Sequence, residues 1–198
     1  LNYSRISLDD VYAFDCENQT WEYLEAIVGL QPLPLGRGGH SIFCSEGKLF
    51  SYGGWNAEAT YNCTICFDLT THEWTDPDVY SDKPRWNHSA VMVEAIPSWK
   101  YFIFGGESMY FSEGAARSFG ACQDTVCYLE LDQMKWTTIA PENEDKPPVR
   151  EYSSMVYDAD ESRLIVFGGW NTGWLNDLYV LNVSKVVGPP YAISSIEP

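Results

Sequence analysis

The sequence predicts an all-β fold assembled from a repeated four-stranded unit, and three observations predict it. The first is the stretch from Leu164 to Asn182, LIVFGGWNTGWLNDLYVLN, in which a short apolar run stops at Gly168-Gly169 and a second opens at Leu175 after a polar loop. Two short buried strands joined by a turn have this pattern. The phrase recurs from Leu49 to Asp68, LFSYGGWNAEATYNCTICFD, and from Tyr101 to Glu130, where YFIFGG is followed by a longer loop and TVCYLE. The second observation is a spacing: Leu8 to Trp21, Tyr61 to Trp74 and Gln123 to Trp136 align, and in each an acidic residue (Asp15, Asp68, Glu130) stands six positions before the tryptophan. The third is Arg37-Gly-Gly-His40-Ser41, Arg85-Trp-Asn-His88-Ser89 and Arg150-Glu-Tyr-Ser153-Ser154, each opening a β-prone run after a proline-bearing loop.

In order along a unit, these marks assign four strands. The run after the arginine is the first, and the run ending at the double glycine is the second. Glycine is required there because a positive φ or a close backbone approach excludes a Cβ. The Asp-Val-Tyr run is the third, and a tight polar turn leads to the fourth, which carries one large aromatic. The double glycines begin at Gly53, Gly105 and Gly168, 52 and 63 residues apart, and the excess in the middle unit falls between Gly106 and Val126. The last unit has Gly188 where the tryptophan belongs, so its outer strand is degenerate or the domain ends there.

With 45% hydrophobic and 15% aromatic residues among 198, the chain has the means to bury roughly 70% of its unfolded surface. Twenty-eight acidic against 12 basic residues leave a formal charge of −16. That charge repels phosphate backbones and anionic lipid, which points to protein partners rather than nucleic acid or membrane. No apolar run reaches the roughly 18 residues of a spanning helix, and no signal-peptide pattern heads the chain. The six cysteines (16, 44, 63, 66, 122, 127) read as buried reduced thiols, with a metal site or a disulfide as the alternative. Cys63-x-x-Cys66 has no second pair to complete a zinc site and falls within a strand, where residues three apart face opposite ways. Five sequons, at Asn2, Asn18, Asn62, Asn87 and Asn182, would suit a secreted protein. Asn62, Asn87 and Asn182 sit at strand ends of the repeat, where a glycan would clash with packing, so the sequons read as coincidence.

Strand-Gly-Gly, polar loop, Asp-x-Tyr, a tryptophan some ten residues on, and Arg-x-x-His-Ser before the next unit together resemble the kelch repeat of β-propellers. The resemblance runs from about Leu8 to Val187 and implies blades of four antiparallel strands packed around a channel. Blades are expected over residues 1–187, as one half blade plus three four-stranded ones, with the remainder of an incomplete ring upstream. Alone, such a piece exposes faces that blades bury, so it is expected to be poorly soluble. The tail 188–198 reads as a linker or outer strand, or as the start of an immunoglobulin-like IPT/TIG domain, whose opening Ile193-Ser-Ser-Ile196-Glu-Pro198 resembles.

No catalytic or metal-binding constellation emerges, and no cofactor is expected. The copper radical oxidase type of propeller needs tyrosine, cysteine and two histidines on one metal, whereas His40 and His88 occupy equivalent repeat positions with Ser153 third in the series, and His72 lies in a turn. The Glu-x-x-x-Asp-x-x-x-His pattern of iron-binding specifier proteins is absent, as are a nucleophile elbow, a P-loop and an EF-hand. The resemblance implies recognition through the face where second-to-third-strand loops and the lead-ins to first strands meet. That face is expected to present Trp55, Trp86, Trp170, Trp174 and Arg117 of the long loop, with Arg37, Arg85 and Arg150; tryptophan with arginine is hot-spot chemistry. The three repeat arginines either form a cationic mouth that captures an acidic group or bridge neighbouring blades through backbone carbonyls. Acidic connections at Glu142–Asp145 and Asp158–Glu161 read as solvated, or as a dock for a basic partner. The function implied is a non-catalytic scaffold module of a multi-subunit intracellular assembly, cytoplasmic, cytoskeletal or ciliary. The alternatives are a galactose-oxidase-like copper enzyme and the substrate receptor of a ubiquitin ligase.

Overall fold

The computed structural model describes residues 7–27, 36–56, 58–110, 119–140 and 146–188. In chain order its elements are β1 (Tyr12–Asp15), β2 (Thr20–Tyr23), β3 (Ser41–Ser45), β4 (Lys48–Tyr52), β5 (Cys63–Asp68), β6 (Trp74–Tyr80), β7 (Ser89–Val93) and β8 (Lys100–Phe104). There follow β9 (Glu107–Tyr110), β10 (Phe119–Cys122), β11 (Val126–Glu130), β12 (Lys135–Ile139), β13 (Ser154–Asp158), β14 (Arg163–Trp170), β15 (Trp174–Asn182) and the helical turn α1 (Ser184–Val187). The expected all-β class is what the chain forms.

Two compact units divide it. One holds Leu1–Asn87 with Glu107–Ala121, the other His88–Gly106 with Cys122–Pro198. In the first unit β1 and β2 form a hairpin, and β3-β4-β5-β6 form a four-stranded meander. Leu24, with Val11 and Ala26 beside it, packs onto Ile65, Phe67 and Trp74 of that meander. In the second unit the meander is β7-β8-β11-β12, followed by the sheet β13-β14-β15. Phe102, Phe104 and Val126 of one sheet share a core with Met155, Leu164 and Val166 of the other.

The six-residue spacing has a plain cause. Asp15 and Asp68 each accept two backbone N–H bonds inside the turn they open, Asp15 from Glu17 and Asn18, and Asp68 from Thr70 and Thr71. Four residues after the acid the chain takes a left-handed step, at Gln19 (φ 56°), His72 (59°) and Met134 (49°). That turn sets the register, and the tryptophan then lands opposite the residue before the acid: Phe14↔Trp21, Phe67↔Trp74 and Leu129↔Trp136. Aspartate favours this turn because its carboxylate satisfies N–H groups the backbone cannot.

Three details differ from the expectation. The long loop of the middle unit is in part a two-stranded ribbon, β9 with β10. The third sheet has three strands among the described residues, with α1 where its outer turn belongs. Its second strand also runs on through the double glycine, absorbing it as a bulge between Phe167 and Gly169. Trp170 then pairs with Trp174 across a three-residue loop, so the ladder gains length.

Candidate functional site

Each repeat builds the same small backbone frame where its arginine meets its double glycine. All six glycines have positive φ, from 63° to 105°. A Cβ on Gly54 would lie 2.9 Å from His40 Cβ, one on Gly105 2.5 Å from the Arg150 carbonyl oxygen, and one on Gly169 2.6 Å from that of Glu151. The residue after each arginine pairs in both directions with the residue after each double glycine: Gly38 with Trp55, Trp86 with Glu107, and Glu151 with Trp170, at 2.8 to 3.1 Å. The second glycine also reaches the next repeat's arginine. Gly54 N–H donates to Arg85 O and Gly106 N–H to Arg150 O, both at 2.9 Å. Arg85 N–H in turn donates to Tyr61 O and Arg150 N–H to Gln123 O, both at 3.1 Å.

The arginine side chains are buried rather than open to solvent: Arg37 is 5% exposed, and Arg85 and Arg150 are 0%. Arg37 Nη1 donates to the Gly53 carbonyl at 3.0 Å and lies 3.7 Å from Cys63 Sγ, with its guanidinium over the Tyr61 ring. Arg150 repeats this arrangement. Its Nη1 donates to the Gly168 carbonyl at 2.8 Å, its fork grips Asp177 at 2.6 and 2.9 Å, and it lies over Tyr179. In place of the expected cationic mouth, the guanidinium groups of Arg37 and Arg150 are drawn onto glycine carbonyls and aromatic faces of their own repeats. Sequence reasoning missed Asp177, Tyr61 and Tyr179 as their partners. The signal was present in the alignment, where Asp10, Cys63, Thr125 and Asp177 share one repeat position.

The tryptophans fall into two groups. Trp55 and Trp86, both half-buried, meet at 5.0 Å between ring centroids in the first unit. Trp170, 37% exposed, and Trp174, 84% exposed, form the cross-strand pair at the end of the β14–β15 ribbon. Arg117 and the run 142–145 lie outside the described residues. In the other acidic connection, Asp158 holds Arg163 at 2.8 Å, and that bond keeps its carboxyl below the usual range. Among the histidines, His72 stacks on Phe67 in its turn. The expectation of buried thiols holds for Cys63, Cys66 and Cys127, and burial pushes the Cys66 thiol up, but Cys16, in the β1–β2 turn, and Cys44, on the open face of β3, are exposed. No group of three or more His, Cys, Asp or Glu among the described residues is arranged to hold a metal. No described helix is long and apolar enough to cross a membrane.

A sequence profile of the KLHDC2/KLHL20/DRC7 Kelch-repeats domain matches residues 2–115. The chain belongs to the kelch-repeat family. Among its relatives is the flagellar outer-arm dynein alpha chain of Chlamydomonas reinhardtii, 30% identical over 90% of this chain but only 4% of that protein. The human Rab9 effector protein with kelch motifs is 26% identical over 82% of the chain and 40% of its own length. An enzyme is also among them, the N-(sulfonatooxy)prop-2-enimidothioate sulfolyase of Thlaspi arvense, 29% identical over 79% of the chain and 41% of that enzyme. The chain thus spans less than half the length of each of these relatives. At this level it is a kelch module of the kind that serves protein interaction.

Proposed function

We propose that this kelch module is a non-catalytic scaffold that holds a protein partner within a larger intracellular assembly of the cytoskeletal or ciliary kind. The observation that carries the reading is the division of labour at the repeat frame. Buried arginines and glycines fix the backbone, and the same frame delivers tryptophan side chains to the loops beside it. In the second unit Trp174 stands largely in solvent, with Trp170 about one-third exposed beside it on a short ladder, the composition and rigidity of an interface anchor. Trp55 and Trp86 form the corresponding aromatic pair in the first unit. Arg37, Arg85 and Arg150 act in this reading as the architecture of the loops rather than as the contact. The dynein relative supports the cytoskeletal placement, since its match extends along nearly all of this chain.

The test is capture of partners from native extract by the intact protein and by a Trp170→Ser/Trp174→Ser variant whose unfolding remains cooperative. The partner should be held about 10- to 30-fold more weakly by the variant, the scale of hot-spot removal. Equal capture would remove the ladder from the binding site and with it this reading.

A further inference from the structure

Between the two sheets of the second unit lies a cavity of about 700 Å³. Close-packed interiors hold few voids larger than a water molecule, whereas ligand pockets run to roughly 300–1,000 Å³, so a space of this size is a receptacle rather than a packing flaw. Its walls are aliphatic. Val126 and Ile139 line it from the second meander, Leu164, Val166 and Leu181 from the third sheet, and Val186 from α1. β15 borders it over the four consecutive residues Tyr179 to Asn182, about 10 Å at the rise of a strand, so an extended alkyl chain can lie along it. The charged groups are few and carry a sign. Two ammonium groups, Lys146 and Lys185, stand in the lining against one carboxylate, Asp124, which holds Lys146 at 2.7 Å. In a protein of formal charge −16, this wall is locally cationic.

We propose that this cavity binds a fatty acid, with the alkyl chain along the aliphatic walls and the carboxylate at the lysines. An alkyl chain fills such a space without bringing polar groups that need partners of their own, and every methylene removed from water favours the bound state. The head group follows from the charge balance. Two ammonium groups against one carboxylate match a single further negative charge, which a carboxylic acid carries at neutral pH, whereas a phosphate monoester carries nearly two. Lys146 is 48% exposed, so its pairing with Asp124 is a weak surface interaction, and its ammonium can turn toward a second carboxylate at little cost. Neither Trp170 nor Trp174 lines the cavity, so the site is separate from the partner site proposed above.

Calorimetric titration of the intact protein with decanoate, below its micelle concentration and beside decanol as the uncharged control, tests this. Decanoate should bind at a single saturable site, and Lys146→Gln/Lys185→Gln should weaken it about 3- to 10-fold while leaving decanol unchanged. Ala140→Trp, at an exposed position of the lining, should fill the space and abolish uptake of both probes while unfolding stays cooperative. Nuclear Overhauser contacts from decanoate methylenes to the Leu181 and Ile139 methyl groups of the unaltered protein locate the chain independently of any variant. Decanol bound as tightly as decanoate would overturn the proposal, as would decanoate uptake without those contacts. So would exclusion of both probes, since a segment of this protein or a partner would then hold the space.

Discussion

Arg150 keeps its charge with no exposure to water because four acceptor interactions replace hydration: the Pro148 and Gly168 carbonyls and both oxygens of Asp177. Removing one partner of such a pair leaves a buried charge uncompensated. Asp177 is itself one-third exposed, which moderates the cost, and Asp177→Ala is expected to destabilise by about 1–3 kcal/mol in chemical denaturation. The hydrogen bonds from Arg150 hold the Asp177 carboxyl below the usual carboxylate range. Because the folded value is the lower one, this contribution is complete above the unfolded carboxylate pKa and is lost as pH falls through the depressed folded value. The wild-type stability should therefore decline more steeply than that of Asp177→Asn on acidification. Identical slopes would show that the pair does not titrate with folding. At this scale the sequence was only half legible: the arginines stand out by repetition, but whether a repeated arginine faces solvent or a carbonyl depends on neighbours brought in from the third strand.

Among the elements, the turns and the glycine-ended strands were readable and the departures were not. The acid-to-tryptophan spacing could be read because the turn is local, closed by one left-handed residue in four and, at Asp15 and Asp68, by the carboxylate, while Glu130 bonds Lys100 instead. The ribbon of β9 and β10 was hidden because its strands are short and mixed in character, ESMY and FGAC, and pairing rather than periodicity defines them. The strand-end glycines differ from an ordinary turn glycine in what surrounds them. Gly105 (φ 69°) has the Arg150 carbonyl oxygen in the place of a Cβ, whereas Gly47 (φ 73°) has nothing within 4 Å. Gly47→Ala should cost only the backbone strain, about 1 kcal/mol, and Gly105→Ala about 2–4 kcal/mol because the Arg150 backbone must also move. Equal shifts in unfolding midpoint would mean that the frame yields more easily than its hydrogen bonds suggest.

At the scale of the molecule, the repeat grammar announced the all-β class and the kelch family, while the outer edge of the third sheet was left open in the sequence. One face of the β1–β2 hairpin carries Tyr12, Phe14, Trp21 and Tyr23, paired at 5.1 and 5.0 Å and each 45% to 69% exposed. The far face of the third sheet likewise leaves Val156, Phe167, Leu178 and Val180 more than half exposed. Contiguous apolar surface of this kind drives association, so the 198-residue chain by itself is expected to self-associate despite its net charge of −16. Light scattering should show the association reduced in Tyr12→Ser/Trp21→Ser, and a monodisperse wild-type chain at high concentration would contradict the expectation.

The links from the first two double glycines to the arginine opening the next repeat run through main-chain N–H and carbonyl groups. Mutation exchanges side chains and leaves those groups in place, provided glycine keeps the approach open. Inheritance can therefore rewrite most of a repeat without cutting its ties to the next. In this chain the position that faces the arginine has already become a thiol at Cys63 and a carboxylate at Asp177 while the glycine carbonyl bond stayed the same. Divergence to 26–30% identity among relatives is the kind of drift such a joint tolerates.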